Sequence, residues 1–235
     1  MFPIGDDNSD RRIFPFVNYA IIGLNVLVFL FLQQVGTNEA FTNAFALVPK
    51  EITTGLDLIG IQVVSDSLGH TGEIDLYPSP LPVYFNFLSS MFMHGGIAHI
   101  FGNMLFLAIF GDNLENAIGH IRYLVFYLLC GFGAAAAQIL MGPDSVIPMI
   151  GASGAISGVL GGYILLFPRN EVRAIIFYNL ITVPAYVAIG IWIAYQLIVG
   201  FLTPSGGGGV AYSAHAGGFA AGLLLIKLFA IGRRS

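Results

Sequence analysis

Six stretches of this chain, near residues 17–34, 94–110, 122–141, 150–167, 174–202 and 211–231, run almost without charge. Each is about long enough to cross roughly 30 Å of hydrocarbon at 1.5 Å per residue, so the chain is expected to fold in a bilayer. Only 9% of its 235 residues are charged, against roughly 25% in an ordinary soluble domain, and 56% are hydrophobic. That composition excludes both a soluble domain and intrinsic disorder. The 30 glycines fit close helix packing in lipid. Cys130 is the single cysteine, which leaves no disulfide framework and no cysteine-based metal site. With a net charge of −4 and no basic cluster, nucleic acid is not an expected partner.

The predicted fold is an all-α polytopic membrane protein, a bundle of six transmembrane helices over 17–231. Residues 1–16 lack the pattern of a signal peptide and read as a cytosolic tail, and 232–235 as a short C-terminal one. Between the first two spans lies a long loop, 34–93, with Pro78, Pro80 and Pro82, expected to pack as an extracytoplasmic, interfacial subdomain. The other connections are short, which makes neighbouring spans antiparallel. With both termini in the cytoplasm, Arg11, Arg12, Arg122, Arg169, Arg173, Lys227, Arg233 and Arg234 fall inside and only Lys50 outside, a strong positive-inside bias.

Polar side chains within spans are costly, so those present are functional candidates. They gather at three span starts: His94-Gly-Gly-Ile-Ala-His99 followed by Asn103; Gly151-Ala-Ser153-Gly154, continuing to Ser157 and Gly158; and His215, followed by Gly218 and Gly222. His99 and Asn103 are four apart and share a helix face. Spans two, four and six run the same way in this topology, so their first turns meet at the outer side. Taken singly, a Ser is a packing residue, a His an interhelical hydrogen-bonding group, and the small-xxx-small glycines a close contact. Together they describe two helices close enough for Ser153 and His215 to meet.

His94 and His99 lack the intervening Glu of a H-E-x-x-H zinc site, no span carries an acidic pair, and Gly151-Ala-Ser-Gly-Ala155 lacks the final glycine of a nucleophile elbow. What remains is serine attack on an acyl carbon with histidine as base. No carboxylate is placed to orient His215, so the pair would be a dyad. The free N–H groups at the helix start, with Asn103 and His99, could bind the oxyanion.

These residues resemble the rhomboid family of intramembrane serine proteases: His94-x4-His99-x3-Asn103, Gly151-x-Ser153-Gly154, His215 with Gly218 and Gly222, and Glu115-x3-Gly119-x2-Arg122. The resemblance implies Ser153 as nucleophile and His215 as general base. It further implies an oxyanion hole of Asn103, His99 and the Ser153 N–H, with His94 ordering a water-filled site. Transmembrane proteins would be the substrates, with neither cofactor nor metal, in a prokaryotic inner membrane with the active site outward. Span five would act as a lateral gate and Pro204–Gly209 as a cap. Many members carry an aromatic residue four positions after the nucleophile, where this chain has Ser157. A catalytically silent protein that binds membrane clients, and a channel or transporter, are the alternatives.

Overall fold

A computed structural model describes residues 2–65, 71–202 and 211–232. The cap expected at 204–209 lies outside these residues.

The chain opens with strand β1 (Phe2–Asp6), then helix α1 (Phe16–Leu27), extended by a π-helical turn to Leu32. Short helices α2 (Glu39–Ala44) and α3 (Pro49–Thr54), a hairpin of β2 (Gly60–Ser65) and β3 (Thr71–Leu76), and a helical turn α4 (Asn86–Ser89) make up the long loop. Helix α5 (Ile97–Phe106) runs through a π-helical segment, Leu107–Gly111, into α6 (Asp112–Ile118), and α7 (His120–Met141) returns. Helix α8 (Ser153–Leu166) leads to strands β4 (Glu171–Ile176) and β5 (Asn179–Pro184), then α9 (Ala185–Leu202) and α10 (Tyr212–Phe229).

Among the described residues four helical segments, 97–118, 120–141, 185–202 and 212–229, are long and apolar enough to cross a membrane, and two shorter apolar ones cover 16–32 and 153–166. Helix α8 is the axis of the bundle: every residue from Ala155 to Tyr163 is buried. Its face-independent burial follows from a sequence that is small or apolar all round, Ser-Gly-Ala-Ile-Ser-Gly-Val-Leu-Gly-Gly. At 14 residues it is about 21 Å long, well short of the hydrocarbon thickness. Around it Phe110, Leu114, Ile118, Tyr123, Phe126 and Tyr127 pack in the core.

Three features correct the sequence-based expectations. The fold is mostly helical but not all-α. Residues 174–184, taken as the start of span five, instead form the β4–β5 hairpin, which pairs antiparallel with β1 in the order β1-β4-β5. A β-branched apolar run satisfies both periodicities, and here Val172 and Ala174 alternate inward while Phe177 and Tyr178 turn the chain with φ of 44° and 66°. The N-terminal segment is likewise no loose tail. Its β1 register, Phe2 to Ile175 and Asp6 to Val172, docks it on the sheet, and Asp6 accepts from Tyr163 Oη at 2.6 Å and Asn113 Nδ2 at 2.9 Å.

Span two also continues past residue 110, because α6 buries its polar groups against α1. Glu115 accepts the N–H groups of Val17 (3.1 Å) and Asn18 (2.7 Å) and pairs with His120 at 2.5 Å. The first turn of α1 has no side-chain cap of its own, so Glu115 supplies the acceptors that turn lacks. Arg122 donates to the carbonyls of Phe229 and Ile231 and so closes the end of α10. The spacing Glu115-x3-Gly119-x2-Arg122 is thereby accounted for by fastening.

Candidate active site

The loop before α5 fixes His94 through its backbone. Its N–H donates to Gln33 Oε1 at 2.9 Å, while Gln33 Nε2 donates to the His94 carbonyl at 2.9 Å and to Thr42 Oγ1 at 2.8 Å. The His94 ring is fully buried and meets His99 edge-on, centroids 5.1 Å apart. His99 Nδ1 accepts the Gly95 N–H at 3.3 Å, which leaves the ring hydrogen on Nε2. That nitrogen faces Gly151. One turn on, Asn103 is 8% exposed and its Nδ2 has no acceptor among the described residues.

Gly151 could be no other residue. Its φ is +119°, and a Cβ there would stand 2.8 Å from His99 Nε2. Its N–H is tied to the Ser90 carbonyl at 2.8 Å, which sets the direction in which α8 begins. Helix α8 has no side-chain cap, and its first main-chain bond is from Ile156 to Ala152. The N–H groups of Ser153, Gly154 and Ala155 therefore have no intrahelical acceptor, and the positive end of the helix dipole lies beside the Ser153 hydroxyl.

Across from it, His215 Nε2 lies 2.8 Å from Ser153 Oγ. The glycines make this approach possible. A Cβ on Gly218 would collide with the Gly154 carbonyl, one on Gly222 with the Gly158 carbonyl, and one on Gly158 with Cys130. Helices α8 and α10 thus touch backbone to backbone. A cavity of about 840 Å³ opens onto Ser153, His215, His99, Asn103 and Gly151. The structure so brings together four of the five polar site candidates on one surface, while His94 stands behind His99 and is not part of the cavity wall.

Two residues here were not anticipated. The amide Oε1 of Gln196, on α9, lies 2.7 Å from His215 Nδ1, and the Trp192 ring packs beside the imidazole with centroids 5.9 Å apart. From the sequence His215 had no orienting group; in the structure it has an amide and an indole from span five. The available signal was Gln196 itself, an uncharged polar residue in an apolar span, the same signal that singled out His99 and Asn103. Ser157, where the resemblance leads one to look for an aromatic ring, is fully buried and donates back to the Ser153 carbonyl at 2.6 Å. Trp192 occupies the neighbourhood of His215 in its stead.

Chemically, the arrangement offers a hydroxyl on a nitrogen base, with N–H donors converging from α5 and from the start of α8. A family model, Rhomboid domain, matches residues 82–231. The chain is 31% identical over 228 residues to the rhomboid protease GluP of Bacillus subtilis, covering 94% of this chain and 37% of that protein. It is 36% identical over 139 residues to RHOMBOID-like protein 4 of Arabidopsis thaliana, covering 59% and 32%, and 29% identical over 231 residues to RHOMBOID-like protein 1 of the same plant, covering 93% and 54%. The chain spans between about a third and a half of the length of these relatives.

Proposed function

Because the chain belongs to the rhomboid family and is an integral membrane protein, we propose that it is an intramembrane serine endopeptidase that cleaves transmembrane segments of other proteins with a Ser153–His215 pair. The observation that carries this reading is the 2.8 Å contact between Ser153 Oγ and His215 Nε2 on a cavity inside an apolar bundle. Ser153 Oγ attacks the scissile carbonyl as His215 Nε2 takes its proton. In this reading the oxyanion so formed accepts from the Ser153 N–H, His99 Nε2 and Asn103 Nδ2, residues that share one cavity wall. His215 then returns the proton to the leaving amine. A water, deprotonated in the same way, hydrolyses the acyl-serine and frees the carboxylate product.

A helix in lipid hides its peptide groups in its own hydrogen bonds. Substrates are therefore expected to carry Gly, Ala, Ser or Pro near the cut, where unwinding is cheap. In the proposed six-span topology both termini and the β1-β4-β5 sheet face the cytoplasm, and the site opens toward the outside, in keeping with the lysine and arginine bias. The experiment is to reconstitute Ser153→Ala and His215→Ala separately in liposomes with a model transmembrane substrate. Each should abolish cleavage, and a fluorophosphonate should label the unaltered protein at Ser153. Full cleavage by either variant, or a folded protein that resists labelling, would overturn the proposal, the second result favouring a silent client-binding protein.

A further inference from the structure

We propose that Gln196 is a positioning residue that holds His215 in the one tautomer able to act as base; this rests on the reading of Ser153 and His215 just given. An amide Oε1 accepts hydrogen bonds and donates none. With Oε1 at 2.7 Å from His215 Nδ1, the ring hydrogen sits on Nδ1, and Nε2, at 2.8 Å from Ser153 Oγ, presents its lone pair to the hydroxyl. Loss of the amide frees the ring to carry its hydrogen on Nε2, where it donates to Ser153 and cannot take a proton.

Gln196 and His215 are each 8% exposed, so the contact between them is largely shielded from solvent. The Gln196–His215–Ser153 line parallels a carboxylate-oriented triad, with a neutral amide that is less costly to bury among apolar helices than an anion. The Trp192 ring, one helical turn before Gln196, restrains the imidazole from the side. Within the described residues of α9 only Ala185, Ala188, Ile189 and Gln196 are buried. Gln196 also lines a second, apolar cavity of about 350 Å³ between α9 and α5. The group that sets the tautomer therefore stands on a lightly packed helix, at the boundary between that lateral cleft and the site.

The test compares Gln196→Leu, which keeps the bulk and removes the acceptor, with Gln196→Glu, which keeps an acceptor and adds charge. Both are reconstituted in liposomes beside Ser153→Ala and His215→Ala. Gln196→Leu should lower kcat about 10- to 100-fold, the effect of one hydrogen bond to a group that becomes charged in the transition state, with KM within about twofold. Gln196→Glu should restore kcat and move the acid limb of the kcat/KM profile to higher pH, because a carboxylate stabilises the imidazolium. Nitrogen NMR of ring-labelled histidine should show Nδ1 protonated in the unaltered protein and mixed tautomers in Gln196→Leu. Unchanged kcat and tautomer in Gln196→Leu, with Ser153→Ala and His215→Ala both inactive, would overturn the inference and leave the dyad standing. Activity in either of the latter would overturn the dyad itself. Should Gln196→Leu not fold, an acid limb of Gln196→Glu lying where the unaltered protein's lies would overturn it equally.

Discussion

Replacing Gly222 with Ala is a small change with a calculable consequence. The added Cβ would stand 2.7 Å from Gly158 C and Cα, and closer still to the Gly158 carbonyl oxygen. Carbon atoms rest at about 3.5–4.0 Å, so α10 must withdraw from α8 by on the order of 1 Å. Nothing flexible stands in the way to yield instead: the atoms met are main chain. Overpacking of this kind costs about 1–3 kcal/mol, or a fall in Tm of roughly 4–8 °C for ~2 kcal/mol in a chain of this size. Gly222 is seven residues from His215, about 10 Å along the helix, and touches no site residue. Any loss of activity must therefore pass through helix separation. Stretching the 2.8 Å Ser153–His215 contact toward 3.5 Å ends it as a hydrogen bond, and a 1 Å misplacement costs about 10²-fold in rate. Gly190→Ala, in α9, is the control, since a Cβ there meets nothing within 4 Å among the described residues. Thermal denaturation in detergent and kcat in liposomes should both fall for Gly222→Ala and hold for Gly190→Ala. A Gly222→Ala protein with unaltered Tm and kcat would refute the claim that backbone contact between α8 and α10 sets the Ser–His distance.

The opposite end of the bundle makes its own predictions. Glu115→Ala leaves the N–H groups of Val17 and Asn18 without their acceptor, at about 1–3 kcal/mol each, so Tm in detergent should drop by roughly 10 °C; a change under about 2 °C would show that α1 is held otherwise. Burial holds the Asp6 carboxyl above its ordinary range, although Tyr163, Asn113 and Arg11 pull the other way. The folded state therefore binds the proton more tightly than the unfolded one, and the contribution of Asp6 is full at acidic pH and lost as pH rises through its raised value. Proteolysis within residues 7–12 should accelerate from pH 4 to pH 8, and Asp6→Asn should flatten that dependence; a flat profile in the unaltered protein would count against it. Ser157→Ala removes one hydrogen bond to the Ser153 carbonyl, about 0.5–1.5 kcal/mol, and leaves His215 with Gln196 and Trp192; kcat should stay within about twofold, and a collapse would assign Ser157 a part in holding Ser153.

How much of this could be read from the chain alone depended on whether a residue's meaning was local. His99 and Asn103 share a face by their spacing, and Gly154, Gly158, Gly218 and Gly222 announce close contact by theirs, so the meeting of α8 and α10 was legible. Gln196 was marked only as a polar residue in an apolar span, and its role was not legible, because its partner lies nineteen residues away on another helix. The β4–β5 hairpin was hidden for a different reason. Val172, Ile175, Ile176, Leu180, Ile181 and Val183 suit a membrane helix and a strand equally, and Phe177-Tyr178 carries neither glycine nor proline to signal the turn.

A rule that treats every polar residue in an apolar chain as functional would also have gathered Asn18, Asp112, Asn113, Glu115 and Tyr123, which are all buried at the other end. What separates the two groups is whether their hydrogen-bonding capacity is used up. Glu115 takes two backbone N–H groups and His120, Asn18 joins Tyr123 Oη to the Leu107 carbonyl, and Asn113 holds Asp6. Each bond there ties one segment to another, which is the signature of fastening. At the Ser153 end, Asn103 Nδ2 has no hydrogen-bond partner among the described residues, and it and the first residues of α8 line a cavity. An unspent buried donor costs about 1–3 kcal/mol; Tyr127 Oη is one too, away from the cavity, so it is the cavity beside the donors that sets the Ser153 end apart. Donors that fasten nothing and converge beside a hydroxyl–imidazole pair are what an arriving carbonyl needs.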